Sequence, residues 1–292
     1  MNIPTPARGR ERGFSLVEVI MALLLATLLL AGMSMAFFRT TNHALRLRDV
    51  TDRRQSARTA VQMMDREIRM AGSGWGRIPV YGNNSAGQPV TLAAVTPGFT
   101  SIAADDSLML IGAWQTQTPV TDQMPSSSSN LKVQDVTGFA ANDLVLVSNG
   151  LFANMFQVTA TNSSSQHLQA NPASPYNNAG GYKVSQGHWP ASGYPVGSIV
   201  FKLSISSYYM DRTTYRKPVL MRHEYGTPPQ IAAYNVDGFR VWYLMQDGTW
   251  TRNPQNLMNV EQVKPVVATR ISDPRRPSLV DSVWTTLQPR SF

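Results

Sequence analysis

The strongest pattern along the chain is the run Val19 to Phe38, VIMALLLATLLLAGMSMAFF, twenty residues without a charge. A helix of that length spans about 30 Å, the hydrocarbon thickness of a bilayer, so the run predicts a membrane-spanning helix. Helical periodicity then resumes. Ala57, Val61, Met64, Ile68 and Ala71 follow at intervals of four, three, four and three. They place one apolar stripe on a helix whose other faces carry Arg58, Asp65, Arg66, Glu67 and Arg69. Such a stripe is either a seam for partner helices or a face that packs on a sheet, and the large body that follows favours the sheet. No proline lies between Phe14 and Ile78, so a single helix from about residue 14 to 71 is predicted, about 85 Å long. Gly72-Ser73-Gly74-Trp75-Gly76 ends it, glycine supplying C-terminal conformations that other residues resist. Gly32 and Ser34 are the candidate soft points inside.

From residue 77 to 292 the period changes. Short apolar or alternating runs bounded by Gly, Pro, Asn and Ser predict strands over Ser107 to Ala113, Leu131 to Val136, Asp143 to Ser148 and Met155 to Ala160. The same holds for Ser198 to Tyr209, Pro218 to Glu224 and Phe239 to Met245. Gln246-Asp247-Gly248-Thr249 supplies a hairpin-like turn leading to Trp250. The serine run Ser126 to Ser129 and the stretch Asn171 to Gly181 are loops. The predicted fold is α+β: a long N-terminal helix, membrane-spanning over 14–38 and amphipathic over 39–72, packed on a β-rich body.

Composition narrows the chemistry. The net charge is +8, but no Lys/Arg-rich run or nucleic-acid motif appears, so no nucleic-acid partner is expected. There is no cysteine, which excludes thiol catalysis, Cys-based metal sites and disulfides. His43, His167, His188 and His223 lack ligand spacing, and no metal or other cofactor is expected. Asn83-Asn84-Ser85-Ala86-Gly87 is not a nucleophile elbow, since no small residue stands two before the serine. Asp105-Asp106 offers too few oxygens for a calcium loop and reads as a turn. No catalytic constellation emerges, and a non-enzymatic role is expected.

A secretory signal peptide competes with the retained anchor, but the apolar run is longer than an ordinary signal core, and no cleavage pattern follows Phe38. Arg8, Arg10 and Arg12, against Glu11 alone, favour a cytoplasmic N-terminus, although Arg39, Arg46 and Arg48 follow the span. Glu18 is the anomaly. A carboxylate costs about 2.5–3.5 kcal/mol at the bilayer centre and less near an end, where Glu18 sits. Either it snorkels to the headgroups or it waits for a cation. A cut after Gly13 would supply one, because the new α-amino group of Phe14 would lie one helical turn away and could neutralise Glu18 of an adjacent, axially shifted copy.

Gly13-Phe14-Ser15-Leu16-Val17-Glu18, after a short basic leader and before an apolar helix, resembles the class III signal of type IV pilins and pseudopilins. The resemblance implies that a prepilin peptidase removes residues 1–13, cutting between Gly13 and Phe14, and N-methylates Phe14. It also implies that Glu18 is the assembly carboxylate. Arg66-Glu67-Ile68-Arg69-Met70-Ala71-Gly72 is similar to the end of the stem in PilW-type minor pilins, and Asp143 to Gly150 with Phe156 to Thr159 is similar to an element of their body. Tyr208-Tyr209 with Leu220-Met221-Arg222 resembles a strand pair of that family, and Thr285 to Arg290 its closing strand. Val236 to Tyr243 resembles a strand shared with the J-type minor pseudopilin of type II secretion. Many relatives carry cysteines near the end of the stem; this chain has Gly74-Trp75-Gly76 there.

The family implies a subunit of a minor-pilin complex that primes pilus assembly at or near the tip. Its implied partners are the major pilin, other minor pilins, the inner-membrane assembly platform and a PilY-type tip protein. The chain would be held in the inner membrane before assembly, with its body in the periplasm. A J-type pseudopilin is the close alternative. A single-span periplasmic enzyme or carbohydrate-binding module explains the anchor and the β body, but neither Gly13-Phe14 nor Glu18.

Overall fold

The structure is a computed structural model that describes residues 15–76, 78–98, 105–125, 130–177, 188–270 and 280–289. Gly13, Phe14, the serine run 126–129 and the end of the loop 171–181 lie outside the described residues. One 55-residue helix, α1, covers Leu16–Met70. The chain divides into two compact units, Met1–Asp52 and Arg53–Phe292, and α1 contributes to both.

In the second unit the predicted stripe becomes core. Ala57, Ala60, Val61, Met64, Ile68 and Ala71 are buried in one cluster with Leu108, Leu110, Tyr208, Phe239, Val241 and Val263. Those partners come from two antiparallel sheets. In the first, Ser204–Asp211 lies between Ser107–Gly112 and Val219–Glu224, with Val95–Gly98 and Gln230–Ala233 at the edges. The second runs in spatial order Trp250–Thr251, Gly238–Met245, Val260–Arg270, Val280–Trp284. The stripe therefore packs on sheets, because alternating small and larger apolar side chains cover apolar strands without leaving voids. The helix ends as its glycines predict: Gly72 takes φ +79 and donates its N–H to the Ile111 carbonyl at 2.9 Å. Gly74 takes φ +99, where a Cβ would also come within 2.7 Å of Ala113.

The remaining strands form a mixed six-stranded sheet, in spatial order Pro89–Leu92, Val80–Asn83, Ala153–Gln157, Leu144–Ser148, Ile199–Lys202, Gln117–Pro119. Within it, Val80–Asn83 and Ala153–Gln157 pair in parallel. A three-stranded sheet, Leu131–Lys132, His167–Gln169 and Ala160–Asn162, accompanies it. Leu144 to Val147 are buried without alternation, as expected of a strand covered on both faces.

The predicted run Ser198 to Tyr209 is two strands, because the chain changes sheets at Leu203, whose N–H donates to the Leu144 carbonyl. Leu131 to Val136 keeps only two residues of strand, and Met155 to Ala160 begins two residues earlier, at Ala153. The longest strand, Val260–Arg270, is absent from the sequence reading, and Pro265 in its middle is the reason. The structure places that proline where no donor is needed on one side. The Val241 N–H, opposite Pro265 in register, points away to Asp106 at 2.8 Å, so this pair lacks ladder hydrogen bonds. On the other side the pairing with Val280–Trp284 stops at Val266, before the proline.

Candidate assembly site

The described part of the first unit is the first stretch of α1, exposed as far as residue 48. Every residue from Leu16 to Phe38 is exposed, including Leu16 at 77% and Phe37 at 69%. The backbone here closes on itself: the Ser15 carbonyl accepts the N–H of Glu18 at 3.0 Å and of Val19 at 3.2 Å. The polar side chains are satisfied locally too. Thr27 Oγ1 donates to the Leu24 carbonyl and Thr40 Oγ1 to the Ala36 carbonyl, both at 2.9 Å. Such back-bonding lets hydroxyls sit in a helix without another partner. The segment is thus long and apolar enough to cross a membrane, with no burial inside the protein. So large an exposed apolar surface calls for a cover of lipid or of other helices.

Glu18 lies in the first turn of α1, exposed, with no side-chain partner among the described residues. The positive end of the helix dipole favours a carboxylate there. Gly13 and Phe14, the predicted cleavage junction and methylated residue, precede the described residues.

A second glutamate on α1 behaves in the opposite way. The sequence reading groups Glu67 with the outward charges, yet it is only 8% exposed. Its spacing explains this, since it lies three residues after Met64 and four before Ala71 on the flank of the stripe. The Tyr208 hydroxyl donates to Glu67 Oε2 at 2.9 Å, and Arg222 Nε donates to Oε1 at 2.8 Å. Arg222 also reaches Glu224 at 3.0 Å. Tyr208 and Arg222 are direct neighbours across two strands, so one helix carboxylate ties both to α1. Burial, then the Glu67 charge, raise the Tyr208 pKa well above the usual phenol value. Burial works against the Arg222 cation, but its bond and charge pairing with Glu67 leave its pKa above the ordinary value.

Asp105 and Asp106 are a second polar joint. Arg212 grips Asp105 with two hydrogen bonds, at 2.6 and 3.0 Å, and also donates to the Asp237 carbonyl. Arg252 grips Asp106 in the same fork. Both carboxylates also accept backbone N–H groups of the neighbouring strand, from Phe239 and Val241 respectively. These aspartates are neither a calcium loop nor a simple turn; they fasten the start of Ser107–Gly112 to the second sheet. Nothing local marks Arg212 or Arg252 as their partners, which lie more than a hundred residues away in sequence.

The histidines are dispersed. His43 is on α1, His167 and His223 are on strands, and His188 stacks on Tyr81 with ring centroids 4.1 Å apart. Among the described residues, no three His, Asp or Glu side chains are grouped to hold a metal ion. Asn84 to Gly87 form a hairpin turn in which Asn84 Oδ1 accepts the N–H of Ala86 and of Gln88.

Residues 8–34 match the prokaryotic N-terminal methylation motif. The chain carries a pilin-type signal. The matched stretch contains the arginines of the leader, Gly13, Phe14, Glu18 and the apolar run as far as Ser34. It is the mark of type IV pilins and pseudopilins, and it implies processing by a prepilin peptidase, anchoring in a membrane before assembly, and assembly with other pilins. The architecture, a long N-terminal helix and a β-rich body, is the pilin-like α+β fold. No curated protein sequence matches the chain significantly.

Proposed function

We propose that this chain is a non-enzymatic minor pilin of a type IV pilus, of the PilW type, which primes fibre assembly with other minor pilins at or near the tip. The observation that carries the reading is the pairing of a pilin-type signal at residues 8–34 with an apolar helix exposed along its whole first half. Before assembly, lipid covers that surface; in the fibre, neighbouring helices replace the lipid. In this reading the peptidase cuts between Gly13 and Phe14 and methylates Phe14. The new α-amino group supplies the cation that Glu18 lacks, and Glu18 of one subunit pairs with Phe14 of the next. The body faces the periplasm and then the surface, where the other minor pilins, the major pilin, the inner-membrane platform and a PilY-type tip protein are the partners.

The first test is N-terminal mass spectrometry of the mature protein, which is expected to begin at N-methylated Phe14. An intact Met1, or a cut near residue 38, would sink the proposal. Deletion of the gene distinguishes the kinds of fibre: loss of surface pili supports the pilus role, whereas loss of secretion with normal pili assigns the chain to a type II pseudopilus.

A further inference from the structure

The second sheet buries one face on α1 and leaves the other outward. On Gly238–Met245, Phe239, Val241 and Tyr243 are buried, so Arg240, Trp242 and Leu244 point away from the core. Register carries that outward set across the sheet. Leu244 stands opposite Trp250, Trp242 opposite Lys264, and Arg240 opposite Val266, which in turn stands opposite Trp284. Three of the six tryptophans are therefore on one face, with Trp242 39%, Trp250 42% and Trp284 55% exposed. Strand rise and strand spacing put Trp250 to Trp242 at roughly 8 Å and Trp242 to Trp284 at roughly 12 Å between Cα atoms, along one diagonal of the sheet. Lys264 Nζ lies 4.0 Å over the Trp284 ring and holds it in place.

Such exposure is costly in water, and it has a polar companion. At the Trp250 end, the hairpin and the loop after it enclose a hollow of about 630 Å3 lined by Gln246, Asp247, Thr249, Asn253, Gln255 and Asn259. The side-chain amides of Gln246, Asn253, Gln255 and Asn259 make no hydrogen bond to another described residue. Unengaged amides beside a row of indole rings match the two surfaces of a sugar: hydroxyls for the amides and apolar C–H faces for the rings. Charge selects further. The paired outward positions of this sheet among the described residues carry Arg240 and Lys264 and no acid, Glu261 standing unpaired at the bulge; Arg240 is half-buried, its Nη1 fully buried with no hydrogen-bond partner.

We propose that this face, the Trp250–Trp242–Trp284 diagonal with its amide-lined hollow, binds an acidic polysaccharide. Sugar rings lie on the tryptophans, hydroxyls enter the hollow, and uronate carboxylates meet Lys264 and the accessible edge of the half-buried Arg240 guanidinium. A nucleic acid suits the site less well, because its affinity rests on many phosphate contacts, whereas the face offers two cations and the hollow contains Asp247. The proposal is independent of which fibre the chain builds.

The test uses the full-length chain in detergent, titrated with polygalacturonate, dextran or single-stranded poly(dT) and followed by tryptophan emission. Polygalacturonate is expected to shift the emission and to bind at least tenfold more tightly than the other two. Trp250→Ala and Trp242→Ala are each expected to weaken binding about tenfold. The joint change Asn253→Ala and Gln255→Ala, on loop residues outside the core, tests the hollow without touching the sheet and is expected to cost about fivefold. Arg240→Gln with Lys264→Gln is expected to abolish the preference over dextran, and Lys264→Arg to keep it. No binding, equal binding of dextran, tighter binding of poly(dT), or full affinity in the tryptophan and loop variants would overturn the proposal. Because binding is read on the isolated chain, its failure leaves the assembly role standing, and the converse holds.

Discussion

Glu18 and Glu67 lie on the same helix and have opposite surroundings. Glu18 is exposed at the first turn with no side-chain partner among the described residues, while Glu67 is buried and held by Tyr208 and Arg222. The apolar residues around them divide in the same way: Leu16 to Phe38 are exposed, whereas Ala57, Met64 and Ile68 are fully buried. Part of the helix is completed by the chain itself, and part is left for the membrane and other subunits. A buried carboxylate must find its cation within the fold, because unpaired it costs several kcal/mol. An exposed one at a membrane boundary tolerates waiting for a cation from outside.

The largest effect is expected from breaking the inner pair. Glu67→Leu leaves the buried Tyr208 hydroxyl without its acceptor and Arg222 with Glu224 alone, and the loss should be about 3–5 kcal/mol of stability by urea unfolding followed through tryptophan emission. Glu67→Leu combined with Arg222→Met removes both charges and should recover much of that loss, with a coupling of about 1–2 kcal/mol. If the double variant is as unstable as the sum of the singles, the pair is not a coupled unit, and the contrast between the two glutamates rests on burial alone.

Next comes the apolar surface itself. Met64→Ala should cost about 2–4 kcal/mol, because the residue is fully buried between helix and sheets and its removal leaves a cavity. Leu24→Ala, in the exposed half, should leave the unfolding midpoint of the body within about 0.5 kcal/mol of the parent. A comparable loss from Leu24→Ala would mean that the exposed half is part of the body's own core, and the division drawn here would fail.

The two halves were also unequally legible in the sequence. An apolar span and a lone carboxylate are local properties, so Val19 to Phe38, Glu18 and the stripe from Ala57 to Ala71 emerge from spacing alone. The body depends on partners far away in the chain. Glu67 reads as outward because its neighbours Asp65, Arg66 and Arg69 are outward charges, and its partner Arg222 is 155 residues distant. Val260–Arg270 is hidden by Pro265, which is tolerated because its pair with Val241 needs no ladder hydrogen bond and the next strand stops pairing at Val266. The tryptophan diagonal needs the register of four strands, and no window of sequence contains it.

The smallest effect on stability, and the most informative about assembly, belongs to Glu18. Glu18→Ala removes an exposed carboxylate with no partner among the described residues, so the unfolding midpoint of the body should not change by more than about 0.5 kcal/mol. Membrane insertion should be retained, since losing a charge from a spanning helix lowers the cost of burial in lipid. Incorporation into fibres, measured by immunoblot of sheared pili against the membrane fraction, should fall severely, because Phe14 of the neighbouring subunit would then lack its carboxylate. Glu18→Asp keeps the charge on a shorter arm and should restore part of the incorporation. Normal incorporation of Glu18→Ala would break the contrast at its decisive point: the exposed glutamate would then be a headgroup contact, and the exposed helix would find its neighbours by apolar packing alone.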